Sequence, residues 1–220
     1  MTLIIPWNRP FKAKLAIEAL SSRTRLNIIK ILLGNRRGLT AQEISRKLGL
    51  SLPTTLEHLE ILVSSGIVQR EWRVVGKRVL KAYKLVDSQI DLKIDLPSFV
   101  ETPEKKELEE LAHLFVDKVR ETRELDTRPS LETIERTLNI DRAKALSVLD
   151  YILSSEEEIV DHLASQARAL LENIETITVR ELSKKMKIHE YWAYAVAKKL
   201  EEQGGYILEG SVLKKIKEEE

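Results

Sequence analysis

Apolar positions in the first third of the chain recur at helical spacing in three short blocks, then switch to the spacing of strands. Over residues 19–33, ALSSRTRLNIIKILL, Ser22 is an N-cap ahead of a stripe formed by Leu26, Ile29, Leu32 and Leu33. Thr40, with Glu43 three residues on, opens a second helix through a capping box, and Ile44 and Leu48 share its apolar face. Gly49 allows a sharp turn, Ser51 caps a third helix, and Pro53 suits its first turn. The pattern predicts that this helix buries Leu56, Leu59, Leu62 and Val63 and turns Thr54, Thr55 and His58 outward, before Gly66 closes it. Residues 67–85, IVQREWRVVGKRVLKAYKL, are two β-prone runs meeting at Val75-Gly76-Lys77, the signature of a hairpin. Trp72 is expected on its inner face.

Two short helices joined by a tight turn, the second beginning with small polar residues, make a helix-turn-helix. A helix of that kind enters the DNA major groove with its first residues on base edges. Thr54, Thr55 and His58 are therefore the candidate base contacts, and Ser51 a donor to a phosphate. The hairpin carries Arg70, Arg73, Lys77, Arg78, Lys81 and Lys84 against one acid, Glu71. Such a basic wing suits a phosphate backbone, where Lys and Arg release counterions. Arg70, Arg73, Lys77 and Arg78 are its candidate phosphate contacts.

The segments ALSSRTRLNIIKIL, LTAQEISRKLGLS and HLEILVSSGIV resemble the ArsR-like family of winged-helix repressors, over roughly residues 11–86. The resemblance, to an archaeal type with a helical C-terminal extension, implies a homodimer on a partly palindromic operator. It implies no ligand, and the sequence identifies no effector. Proteins of this family commonly pair through a helix just after the wing. Residues 103–124 predict such a helix, with Leu108, Leu111, Phe115 and Val119 as candidate dimer contacts. The alternative is that this stripe packs on the chain's own C-terminal half.

The remainder repeats the first motif. Shifted by 90 residues, Ile134, Leu138, Ile140, Leu146, Leu149 and Ile152 fall on Ile44, Leu48, Leu50, Leu56, Leu59 and Leu62. Shifted by 138, Thr178, Glu181, Leu182, Met186, Ile188, Leu200 and Gly204 fall on Thr40, Glu43, Ile44, Leu48, Leu50, Leu62 and Gly66. The second copy continues into GYILEGSVLKKI, a small wing turning near Glu209-Gly210. A helix over 156–173 lies between the copies. The fold class expected is mainly α with small β-hairpin wings. Its domains are a winged helix-turn-helix at 1–95, a linker and dimerisation helix at 96–128, and a helical domain at 129–220 with units at 130–155 and 178–217. The unit at 130–155 reads as a packing module. The last unit carries Arg180, Lys184, Lys185, Lys187, Lys198 and Lys199 with Tyr191, Trp192 and Tyr194, of which Tyr194 above all is expected in the core. It serves either as a second DNA contact or as a dimerisation or effector domain.

Charge sharpens this division. The net charge of +1 conceals 17 Lys or Arg against 8 Asp or Glu in residues 1–95, and 19 against 27 in residues 96–220. The basic half is expected to face nucleic acid. The absence of cysteine excludes disulfides and thiolate metal sites and fits the cytoplasm. A charged share of 32% with few Asn and Gln points to a thermophile. No segment reaches the roughly 18 apolar residues of a membrane span, and no signal peptide is expected at the start, where no basic run precedes the short apolar one. Glu109, His113 and Asp117 follow i, i+4, i+8 spacing but read as a solvated helix face, so no metal or cofactor is expected. No phosphate loop or nucleophile elbow is present, and an enzyme is not expected. The function expected is a homodimeric, sequence-specific regulator of transcription that binds double-stranded DNA at promoters. The rival is a protein-interaction scaffold that uses winged helices within a transcription or chromatin assembly.

Overall fold

The computed structural model describes residues 2–75 and 78–216, with the strand backbone alone at 73–75 and 78–79. The chain divides into two compact units, Met1–Thr102 and Pro103–Glu220.

The first unit runs β1 (Leu3–Ile5), α1 (Pro10–Ser21), α2 (Arg23–Leu33), β2 (Leu39–Thr40), α3 (Ala41–Leu48), α4 (Leu52–Ser64), β3 (Val68–Val75), β4 (Arg78–Leu85), β5 (Ile90–Leu92) and α5 (Leu96–Glu101). Strands β2, β4 and β3 form an antiparallel sheet in that order, and β1 pairs with β5 in parallel. Local chemistry explains the helix ends. Thr40 accepts from the Glu43 amide while the Glu43 carboxylate accepts from the Thr40 amide, so α3 starts on a complete capping box. Gly49 stops α3 in the left-handed conformation, φ 67°, where a side chain is disfavoured. Ser51 then accepts from the Thr54 amide to begin α4. The core gathers Ala19, Ile28, Leu32, Ile44, Leu59, Leu62, Ile67, Val68 and Tyr83.

The apolar face of α2 differs in phase from the expected one. Leu26 and Leu33 are exposed, while Arg25, Ile28 and Leu32 face inward. The reason is Arg25. Its guanidinium donates to the carbonyls of Ala19 and Glu18 at 2.9 and 2.6 Å and so satisfies the end of α1. A charged residue on the core side hid the true stripe.

The second unit runs α6 (Lys105–Thr122), α7 (Leu131–Leu138), α8 (Arg142–Ser154), α9 (Glu156–Leu170), β6 (Thr176–Thr178), α10 (Val179–Met186), α11 (Glu190–Glu202), β7 (Tyr206–Glu209) and β8 (Val212–Lys215). Here α6 belongs to the unit's own core and not to a separate dimerisation segment. Leu108, Phe115 and Val119, expected at a dimer seam, are buried together with Ala112 and Val116, and Leu111 is half-buried. Helices α7, α8 and α9 pack against α6 and cover its stripe, so that stripe has no free face for a second copy. His113 and Asp117, though not the partly exposed Glu109, also depart from the expected solvated face. The His113 ring stacks on His162 of α9, with centroids 4.0 Å apart, and Asp117 accepts from Gln166 Nε2 at 2.8 Å. Among the described residues no group of three or more His, Cys, Asp and Glu is placed to hold a metal ion.

Both sequence repeats form helix pairs, and the last unit is a winged helix with its own sheet, ordered β6-β8-β7 as in the first. Each pair turns through one left-handed residue: Gly49, then Asn139 at φ 53°, then Lys187 at φ 52°. Trp192, not Tyr194, enters the core. Its indole Nε1 donates to the Asp126 carbonyl at 3.0 Å, while Tyr194 stays half exposed. No helix among the described residues is long and apolar enough to cross a membrane.

Candidate nucleic-acid interface

The candidate surface is built by α4 and the β3–β4 hairpin. Ser51 is exposed at the start of α4, and its hydroxyl lies 2.8 Å from that of Thr54. One turn on, His58 is half-buried, with Nδ1 buried and lacking a hydrogen-bond partner among the described residues. Glu57 is fully on the outer side beside them. Its carboxylate is the acceptor type that takes a cytosine amino group, and the sequence pattern had not singled it out.

Thr55 is a correction. It was expected on the outer face beside Thr54, yet it is completely buried, and its hydroxyl donates to the Ser51 carbonyl at 2.9 Å. The position packs against the core in all three helix pairs, where Ala145 and Ala193 stand at the same register, both also fully buried. That register held the signal. A small side chain recurs there, and a threonine fits because its hydroxyl is satisfied within its own helix.

The hairpin is antiparallel, with Arg70 opposite Tyr83 and Trp72 opposite Lys81. Arg70 forms an ion pair with Glu60 on α4 and also hydrogen-bonds Tyr83. Burial, then the Glu60 charge, push the Tyr83 hydroxyl above its usual range, keeping it a neutral donor or acceptor. Arg70 is therefore engaged with the recognition helix, whereas the expectation had it on a phosphate. Glu71 is engaged too. A hydrogen bond from Lys84 at 3.0 Å, then one from Gln69, holds its carboxyl below the usual range. Lys77 lies outside the described residues, and Arg73 and Arg78 are described in their strand backbone only.

Trp72 is a second correction. It does not pack on the inner face: it is 72% exposed, with Lys81 Nζ 6.0 Å from the ring centre. Alternation places Trp72 on the face of the hairpin that carries Val68 and Tyr83 in the core, so its exposure arises because β3 has by then run past the core. An aromatic ring paired with a cation suits contact with a sugar-phosphate edge. At the other end, Arg46 and Lys47 project from the last turn of α3 into solvent, where a first helix crosses the DNA backbone.

A family model described as winged helix-turn-helix DNA-binding matches residues 21–69, from the end of α1 to the second residue of β3. No curated protein matches the chain.

Proposed function

We propose that the protein is a DNA-binding regulator of transcription of the ArsR-like kind. It acts in the cytoplasm as a homodimer that reads a specific duplex sequence at promoters and carries out no catalysis of its own. The observation that carries this reading is the surface of α4. Its polar residues Ser51, Thr54 and His58 lie on a helix packed against both α3, whose last turn carries Arg46 and Lys47, and β3 of the wing. In this arrangement α4 lies in the major groove, its first turn on base edges, and the flanks sit on phosphates. Two copies would set their recognition helices about 34 Å apart, in successive major grooves.

Pairing needs a surface other than α6. The first unit leaves Ile4 and Trp7 exposed near its N-terminus and Leu96 and Val100 exposed on α5. Exposed large apolar residues of this kind support a seam there. Regulation would follow from occupancy of the promoter, by occlusion or by recruitment.

Selection of duplexes from a random pool by the full chain tests the reading. The result expected is enrichment of one motif with two half-sites related by a dyad. Recovery of the input pool without enrichment would overturn sequence-specific binding.

A further inference from the structure

The second unit ends in a winged helix whose parts superpose on those of the first by register. Thr178 and Glu181 form a complete capping box, as Thr40 and Glu43 do. Lys187 takes the left-handed turn of Gly49, Ala193 the buried place of Thr55, and Leu200 that of Leu62. Gly204, φ 82°, closes α11 as Gly66, φ 78°, closes α4.

At the register of Thr54 and His58 stand Trp192 and Val196, both buried, so α11 exposes a different face from that of α4. Lys184 and Lys185 project from the last turn of α10, at the register of Arg46 and Lys47. On α11, Tyr191, Tyr194 and Lys198 are exposed on one face. These three line an open groove of about 680 Å³ that also reaches Arg180. The two acids in that groove are already engaged, Glu156 by the Tyr191 hydroxyl and Glu190 by Arg180 at 3.8 Å. Lys184, Lys185 and Lys198 enter no salt bridge or side-chain hydrogen bond among the described residues. Lys187 and Lys199, by contrast, are tied to the Glu121 carbonyl and to Asp161.

The acidity of the second unit lies elsewhere. Residues 103–173 hold 17 Asp or Glu against 10 Lys or Arg, whereas residues 174–220 hold 9 against 9. The winged-helix end is thus the electroneutral part of an acidic unit.

We propose that α10, α11 and the β7–β8 hairpin form a second binding site for duplex DNA. Lys184 and Lys185 take phosphates where α10 crosses the backbone, and Lys198 a phosphate beside the groove. Tyr194 and Tyr191 lay their rings against the apolar edges of bases, thymine methyls above all. With no guanidinium or amide on that face of α11, the site discriminates little between sequences. One chain then holds two duplexes at once, or two segments of one duplex.

The test counts duplexes bound per full-length chain, by sedimentation velocity with a labelled duplex of roughly 12 bp, about one half-site. Two duplexes per wild-type chain at saturation are expected. The variant Lys184→Ala/Lys185→Ala/Tyr194→Ala, all three exposed, is expected to bind one duplex and to weaken the second event by about tenfold or more. Lys198→Glu, a single exposed change, is expected to do the same and guards against a folding defect in the triple variant. Arg46→Ala/Lys47→Ala is expected to weaken the other site and spare this one. One duplex per wild-type chain, or two on the triple variant, overturns the second site while leaving the reading of the first unit intact. No duplex bound to any protein overturns both.

Discussion

Arg70, on the first strand of the wing, is paired with Glu60 on the recognition helix, and the same guanidinium hydrogen-bonds the buried Tyr83 across the hairpin. The arrangement ties the wing to α4 at the edge of the candidate DNA surface. Both partners of the ion pair are partly exposed, so the pair contributes at most about 1 kcal/mol to stability. Its consequence is geometric: a cation that would otherwise reach for a phosphate is held against the protein.

Glu60→Gln is expected to release that cation. Affinity for random duplexes should rise, and the slope of log affinity against log salt should steepen by up to about one unit. Thermal stability should change little. Fluorescence anisotropy across a salt series checks both, and an unchanged slope would mean that Arg70 stays fixed by Tyr83 alone.

Thr54 and Thr55 are expected to separate cleanly. Thr54→Ala should leave stability nearly intact and cost about 1–3 kcal/mol of discrimination between the selected site and a mismatch. Thr55→Ala should leave discrimination unchanged. It loses an intrahelical hydrogen bond, worth about 0.5–1.5 kcal/mol, and a buried methyl, worth about 1 kcal/mol, and matches the alanine found at the same register in the other two helix pairs. Equal losses of discrimination in the two variants would contradict the buried placement of Thr55.

Acid should weaken the second unit. Burial, then the neighbouring His162, lower the His113 imidazole below its usual value of 6.5, against the opposing charges of Glu109, Asp117 and Glu158. For Asp117, burial raises the carboxyl, but hydrogen bonds from Gln166 and His162 and the charge of Arg120 outweigh it and leave it below 3.8. In the folded state both groups hold fewer protons than in the unfolded chain, so stability increases with pH. It is fully present above 6.5, falls as pH drops from there through the lowered His113 value, and falls again below 3.8 as Asp117 protonates. His113→Phe keeps a stacked ring and should flatten the first of these steps in a thermal melt. A variant with the same pH dependence as wild type would remove His113 as its source.

Legibility followed the range of the interaction. The Thr40–Glu43 box, the Ser51 cap and the turn at Gly49 are decided within four residues, and their repetition at a spacing of 138 announced the second winged helix. The faces of helices were harder to read wherever a residue satisfied its polarity locally. Arg25 caps α1 from the core side of α2, and Thr55 bonds its own helix, so each mimicked a surface residue. The stripe of α6 was read correctly as apolar, but which partner covers it depends on α7, α8 and α9, far along the chain. Trp72 shows the converse, a large aromatic ring on the core-side face of the hairpin that is exposed because the strand there extends past the core.

A first unit that grips duplex DNA through its wing and the flanks of α4 must bind in a strongly salt-dependent way. Wild type and Arg73→Ala/Lys77→Ala/Arg78→Ala are to be compared on one random duplex over a range of salt. Wild-type affinity is expected to fall steeply with salt, and the variant slope to be shallower by about one unit for each phosphate contact removed. Affinity that ignores salt, or a slope the variant leaves unchanged, would contradict it.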